Sequence, residues 1–208
     1  RELMQVFKAV RQQPTLKKYL SAFFVYSMGV QTVMLMAVLF AKKEIEGLES
    51  SHLIVAVLLI QFVGIAGSHL FSKLSSIYGN INALGIAIVL WIGICLGTYF
   101  LVYTPVDFYC IAASVGLVMG GIQALSRSTY AKMLPETQDT ASYFSFFDVT
   151  EKWGIVIGTF SFGLIEGLTG SMRASVLALI VFFIVGFVLL LRLRGMGPLR
   201  GKTVLSSE

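Results

Sequence analysis

Three glutamines, Gln31, Gln61 and Gln123, sit inside long apolar runs of the chain, in the company of Tyr26, Thr32 and Ser161. A primary amide in hydrocarbon is costly unless it meets a hydrogen-bond partner or a water-filled cavity. Each of these residues is therefore read either as lining for a polar path or as an interhelical bond that fixes packing, and for a single glutamine the two readings weigh equally. Three glutamines on three separate runs favour a shared cavity. A second set is charged: Arg127 at the end of one run, then Asp148, Glu151 and Lys152 at the start of the next. Asp148 and Lys152 stand four residues apart and can pair on one helix face, and two acids in the first turns suit the positive end of a helix. Such charges could form salt bridges that hold a gate shut. An ordinary interfacial charge belt is the plainer alternative, the stronger one for Glu151 and the weaker for Arg127.

Enzyme chemistry finds no foothold. His52 and His69 are isolated, and a metal site would need further ligands at matched depth. Ser68 and His69 are sequence neighbours, which puts them on different helix faces and denies them a nucleophile–base geometry. Cys95 and Cys110 both lie within apolar runs and build neither a disulfide framework nor a zinc spacing. No metal and no cofactor is expected, and an intramembrane hydrolase is the weakest of the function classes.

The elements that must carry these residues follow from composition. Of the 208 residues 56% are hydrophobic and 13% charged, against about a quarter charged in soluble domains, too few to cover a water-exposed surface. Six apolar runs, at about 18–41, 52–72, 82–103, 107–126, 150–168 and 174–191, are each long enough for a helix to span a hydrocarbon core of about 30 Å. Lipid offers no backbone hydrogen bonds, and the single-residue alternation of a barrel strand is absent, so the runs predict helices. Residues 1–17 set Leu3, Val6, Phe7 and Val10 at helical spacing among basic residues and reach Pro14, which predicts a short amphipathic helix on the membrane surface. The chain thus divides into a linker helix at 1–17, a six-helix transmembrane domain at 18–192 and a basic tail at 193–208.

The net charge of +5 does not indicate nucleic acid, because Lys and Arg lie almost entirely between the apolar runs. With the N-terminus inside, thirteen Lys and Arg fall on the cytoplasmic side and three, Lys42, Lys43 and Arg173, on the other, so both termini are expected in the cytoplasm. The opening Arg1 and the lack of a cleavage site suggest a piece of a longer polypeptide. Short connections at 104–106 and 169–173 predict tight hairpins. A long polar cytoplasmic connection is expected from about 127 to 149, its second part, ASYFSFFDVTEKW, extending the fifth membrane helix. Glycine pairs at four-residue spacing (Gly93/Gly97, Gly116/Gly120, Gly154/Gly158, Gly163/Gly167) let helices approach closely, and packing is favoured over a dedicated dimerisation motif.

Four segments carry a family resemblance: FFVYSMGVQTV, FSKLSSIYGN, GGIQALSRSTYAKMLPE, and YFSFFDVTEKWGIVIGTFSFGLIEGLTGSMRAS. With six helices and both ends inside, the chain resembles the C-terminal half of a major facilitator superfamily transporter, within the vacuole-effluxer branch, whose fungal members export amino acids from the vacuole. The resemblance implies an all-α half-transporter that rocks by alternating access against a second half around a midplane site. It also implies a small solute, with amino acids as a candidate class, and the inner membrane of a bacterium. Its partners would be the lipid bilayer and the missing N-terminal half, or a second copy of this half in a crystal. The first, second, fourth and fifth membrane helices would line the path through Tyr26, Gln31, Thr32, Gln61 and Gln123. Ser76, Gly79, Arg127, Asp148, Glu151 and Lys152 would form the cytoplasmic gate.

Two departures stand out. Where the superfamily has a G-x-L-x-D-R-x-G-R loop, this chain keeps Leu74 and Gly79 but has Ser72 for the first glycine, Ser76 for the acid and Ile77 for the base; and Met28 precedes Gly29 where an acid is common. Deprived of its usual acid, Arg127 is expected to find Asp148, Glu151 or loop carbonyls. A reading of a different class is a membrane scaffold or binding subunit, with the glutamines as packing bonds and the basic ends holding anionic lipid. Topology is open to direct measurement: a cysteine in place of Lys8 should react with an impermeant thiol reagent only from the cytoplasmic side, and labelling from outside sealed cells would reverse the assignment.

Overall fold

The computed structural model describes residues 2–45, 47–135 and 139–194, and among these every regular element is a helix. They are α1 (Glu2–Gln12), α2 (Pro14–Glu44), α3 (Ser50–Tyr78), α4 (Asn80–Leu101), α5 (Pro105–Met133), α6 (Thr140–Thr169) and α7 (Met172–Arg194). Five of them, α2, α3, α4, α5 and α7, are long and apolar enough to cross a membrane. The sixth membrane segment, α6, matches them in length with 30 residues, but Asp148, Glu151, Lys152 and Glu166 break its apolar stretch. The fold is the six-helix half of a major facilitator transporter, preceded by α1. The tail expected at 193–208 lies, from residue 195 on, outside the described residues.

Punctuation residues set the element boundaries. Pro14 occupies the first position of α2 after Gln13 in extended backbone (φ −105°); lacking an N–H, proline fits a helix start and cannot continue the helix before it. Gly79 alone joins α3 to α4, at φ 82° and ψ 156°, a conformation that only glycine adopts without strain. At the opposite end of the bundle Thr104 and Asp107 form a reciprocal capping box at the start of α5. His52 serves as a cap as well, its Nδ1 accepting from the Glu49 backbone N–H at 3.1 Å.

The connection expected from about 127 to 149 is shorter than that: its second part, ASYFSFFDVTEKW, extends the fifth membrane helix as expected, and its first part is helical as well. α5 continues to Met133 and α6 begins at Thr140, where the Asp139 side chain accepts from the Ser142 N–H at 3.2 Å. Hydrophobicity ends before helix periodicity does: Thr129 and Tyr130 are buried while Arg127 and Ser128 are exposed. The two extensions pack on each other, with the Tyr130 hydroxyl donating to the Tyr143 carbonyl at 2.8 Å and its ring 4.8 Å from that of Phe147.

Helices meet where glycine removes side-chain bulk, since burial of apolar surface drives little association within lipid. α3 lies on α5 so closely that a Cβ on Gly120 would stand 2.0 Å from the Gly64 carbonyl oxygen, and one on Gly67 2.0 Å from that of Leu117. α2 lies on α6 across Gly154 and Gly158, and on α7 across Gly29 and Gly186, where the Phe183 ring fills the space over Gly29. The ring of Phe183 also stacks on buried Trp91 of α4 at 5.7 Å. Gly93, Gly163 and Gly167 face no neighbour, so only two of the four sequence pairs, Gly116/Gly120 and Gly154/Gly158, are contact motifs throughout.

At the end away from α1, Arg173 ties three helices together. Its guanidinium meets Glu44 Oε2 at 2.9 Å, donates to the carbonyls of Tyr99 (3.0 Å) and Val102 (2.6 Å), and lies 4.4 Å over the Tyr103 ring. Lys43 pairs with Glu166 at 2.7 Å beside it.

Two stability outcomes follow in detergent-solubilised protein. Gly120→Ala and Gly67→Ala should each cost about 1–3 kcal/mol by forcing the α3–α5 contact apart, whereas Gly93→Ala should leave the melting temperature unchanged; an equal response at all three positions would refute the close-contact account. Arg173→Lys should cost about 2 kcal/mol in the same measurement, because an ammonium cannot reproduce the fork that serves one carboxylate and two carbonyls.

Candidate functional site

A polar cleft of about 220 Å³ opens between α2, α5 and α6 in the half of the bundle nearer α1. Each helix contributes one face: Phe23, Tyr26, Ser27, Val30 and Gln31 from α2, Ile122, Gln123, Ser126 and Arg127 from α5, Phe147 and Glu151 from α6. The spacings of three and four are what a single helix stripe requires. Aromatic packing fixes the floor, with Phe23 and Phe147 stacked at 4.0 Å.

Tyr26 is buried, and its hydroxyl lies 2.7 Å from Ser126 Oγ. Since Ser126 Oγ donates to the Ile122 carbonyl at 2.6 Å, its one proton is committed and the Tyr26 hydroxyl is the donor between them. Tyr19 donates to the Ser126 backbone carbonyl at 2.7 Å, so Ser126 links two α2 tyrosines to α5. Across the cleft Gln31 Nε2 donates to Glu151 Oε1. At the rim Arg127 Nη2 meets Asp148 Oδ1 at 2.6 Å, with both side chains about half exposed, and the guanidinium sits 5.8 Å from the Phe147 ring centroid. The combination of a carboxylate, a guanidinium, a free amide at Gln123 and two hydroxyls can hold a small polar solute by several directed bonds.

Of the residues singled out from sequence, the fold brings together Tyr26, Gln31, Gln123, Arg127, Asp148 and Glu151. Others go elsewhere. Thr32 is fully buried in the α2–α6 contact, its Oγ1 facing Gly158 and without a hydrogen-bond partner among the described residues. Gln61 is exposed on α3, a helix that contributes no residue to the cleft. Ser161 satisfies itself by donating to the Ile157 carbonyl of its own helix at 2.8 Å. Lys152 is exposed and makes no ion pair among the described residues, because Asp148 turns toward α5 and takes Arg127 instead. Ser76 donates to the Lys73 carbonyl at 2.7 Å and Gly79 forms the α3–α4 turn; neither borders the cleft, so the expected gate set divides into two places.

Sequence reasoning missed the group that replaces the charged loop after α3. Asn80 Oδ1 accepts from Lys132 Nζ at 2.9 Å and Ser75 Oγ at 2.7 Å, while Asn80 Nδ2 donates to Thr129 Oγ1 at 3.0 Å. This node, with one cation at Lys132, joins the ends of α3, α4 and α5 on the α1 side. The available signal was positional: an asparagine directly after the helix-breaking Gly79, and Thr129 with Lys132 three apart on α5. Ser126 was missed as well, since a helical serine usually bonds its own backbone and shows nothing more in sequence.

The family model described as vacuole effluxer Atg22 like matches residues 1–195. The MFS-type transporter YxiO of Bacillus subtilis is 32% identical over 190 residues, covering 91% of this chain and 44% of that protein. Autophagy-related protein 22 of Yarrowia lipolytica is 30% identical over 194 residues, 88% of this chain and 32% of that protein, and its counterpart in Eremothecium gossypii is 27% identical over 176 residues, 80% and 34%. The chain thus spans less than half the length of these relatives. A match along nearly the whole chain, on a fold of the expected helices, makes this chain a member of the Atg22-like vacuole effluxer family.

Proposed function

We propose that this chain is the C-terminal half of a secondary transporter that moves a small zwitterionic solute, of the amino-acid class, by alternating access. The observation that carries the reading is the placement of the Glu151 carboxylate and the Arg127 guanidinium on one cleft with Tyr26, Ser126 and Gln123 between them. A carboxylate suits an ammonium group and a guanidinium suits a carboxylate. The cleft is open on one side, as expected if a second half supplies the opposite wall. The charge count supports cytoplasmic termini, and the Bacillus relative supports a bacterial cell membrane.

In this mechanism the Arg127–Asp148 bridge is the switch. It is half exposed, so it contributes about 0–1 kcal/mol, enough to tilt two conformations that differ by a few kcal/mol and not enough to lock either. A solute carboxylate that competes for Arg127 would loosen the bridge and ease the change of state. The scaffold alternative draws on one observation, that the Gln31 amide is already engaged by Glu151.

Uptake of labelled amino acids into proteoliposomes holding the full-length protein separates the two: a scaffold shows none. Glu151→Gln should lower uptake about tenfold, equivalent to about 1.4 kcal/mol. Arg127→Ala should leave the protein folded and raise the reactivity of a cysteine at position 123 toward an impermeant reagent from the cytoplasmic side. Unchanged reactivity would return Arg127 to an interfacial charge belt.

A further inference from the structure

A second cleft, of about 370 Å³, lies where α1 crosses the first turns of α2 and the start of α6. Its apolar lining comes from Phe7, Val10, Leu20, Phe24 and Phe146, and Arg11 and Lys17 line it as well. The rings of Phe7 and Phe146 stand 6.2 Å apart, and Phe7 is 49% exposed, so the two aromatics frame an opening and do not close it. We propose that this cleft binds an anionic phospholipid of the leaflet on the α1 side, its phosphate between Arg11 and Lys17 and an acyl chain against Phe24 and Phe146.

Charge is the first argument. Like most cations of the chain, Arg11 and Lys17 form no ion pair among the described residues, but these two line the cleft, with exposed Lys8 and Lys18 nearby in sequence. Cations left unmatched beside an apolar cleft suit an anion that brings its own apolar part. Depth is the second argument. Lys17 and Leu20 stand in the first two turns of a membrane-spanning helix, at the level of lipid headgroups, and α1 is an amphipathic helix with buried Val6 and Val10 that lies against the same helices. A soluble anion would leave the aromatic lining unused, and a neutral lipid would leave the cations unmatched. A lipid held here would bridge α1 to α6, the helix that carries Asp148 and Glu151. The inference requires only that the protein be embedded in a membrane and does not depend on which solute it carries.

Native mass spectrometry of the full-length protein released from nanodiscs of mixed phosphatidylglycerol and phosphatidylcholine tests it. Phosphatidylglycerol should be retained in several-fold preference; the double variant R11Q/K17Q should lose that preference, the charge-preserving R11K/K17R should keep it, and K73Q/R192Q, which removes two exposed cations elsewhere on the same side, should not change it. In a Phe24→Trp variant, brominated phosphatidylglycerol should quench the new fluorescence more than brominated phosphatidylcholine. Three results would overturn the proposal: equal loss in K73Q/R192Q, which means diffuse attraction; equal quenching by both lipids, which means neutral acyl packing; and displacement of the lipid by glycerol phosphate, which means a site for soluble anions. Retained preference in R11Q/K17Q would overturn it as well.

Discussion

The approach of α2 to α6 across Gly154 and Gly158 positions nearly everything that gives the cleft its chemistry. A Cβ on Gly158 would stand 2.3 Å from Thr32 Oγ1 and 2.6 Å from the Met28 carbonyl, and one on Gly154 would stand 2.9 Å from Ser27 Oγ. No other residue permits that separation. With the backbones so close, the two helices share one register along their length: Phe23 stacks on Phe147, Gln31 reaches Glu151, and Lys43 pairs with Glu166 at the far end. Even the unpartnered hydroxyl of Thr32 fits this account, since the contact that excludes a partner is the contact that sets the register. In lipid, where neighbouring acyl chains are as apolar as leucine, close shape and Cα–H···O contacts carry more of the association than burial does.

Polar groups are distributed according to the same economy. At the end away from α1 Arg173 spends its fork on one carboxylate and two helix-terminal carbonyls, groups that would otherwise stay unsatisfied at the end of α4. At the α1 end Asn80, Lys132, Ser75 and Thr129 form a connected set across three helices. Arg173 and Glu44 are largely buried, and in the second set Asn80 and Thr129 are buried while Lys132 is exposed. The Arg127–Asp148 pair differs in being half exposed, which makes it cheap to open.

The helices differ in how completely they are enclosed. α5 buries half of its membrane span and α3 17%, because α3 packs mainly on α5 and leaves Ile54, Leu58, Phe62 and Ile65 outward. That asymmetry explains why Gln61 lies apart from the other two glutamines.

Sequence alone determined the membrane class, the helical segments, the tight turns at 104–106 and 169–173 and the break at Pro14, because each follows from local chemistry: apolar length, backbone self-satisfaction in lipid, and the conformational limits of proline and glycine. It also paired Arg127 with the acids of α6, since the ends of adjacent antiparallel helices share a depth. Tertiary structure decided the rest. Periodicity says which residues share a face of one helix, but not which face meets which neighbour, so Gln31 and Gln123 could not be told from Gln61, nor Thr32 from a path-lining residue. The same blindness hid Ser126 and Asn80, whose partners Tyr19, Tyr26 and Thr129 lie 49 to 107 positions away. Hydropathy likewise lost the end of α5, where helix continues past the point at which apolar character stops and the turn is held by the packing of Tyr130 on Phe147; the start of α6 was legible in its aromatic stretch.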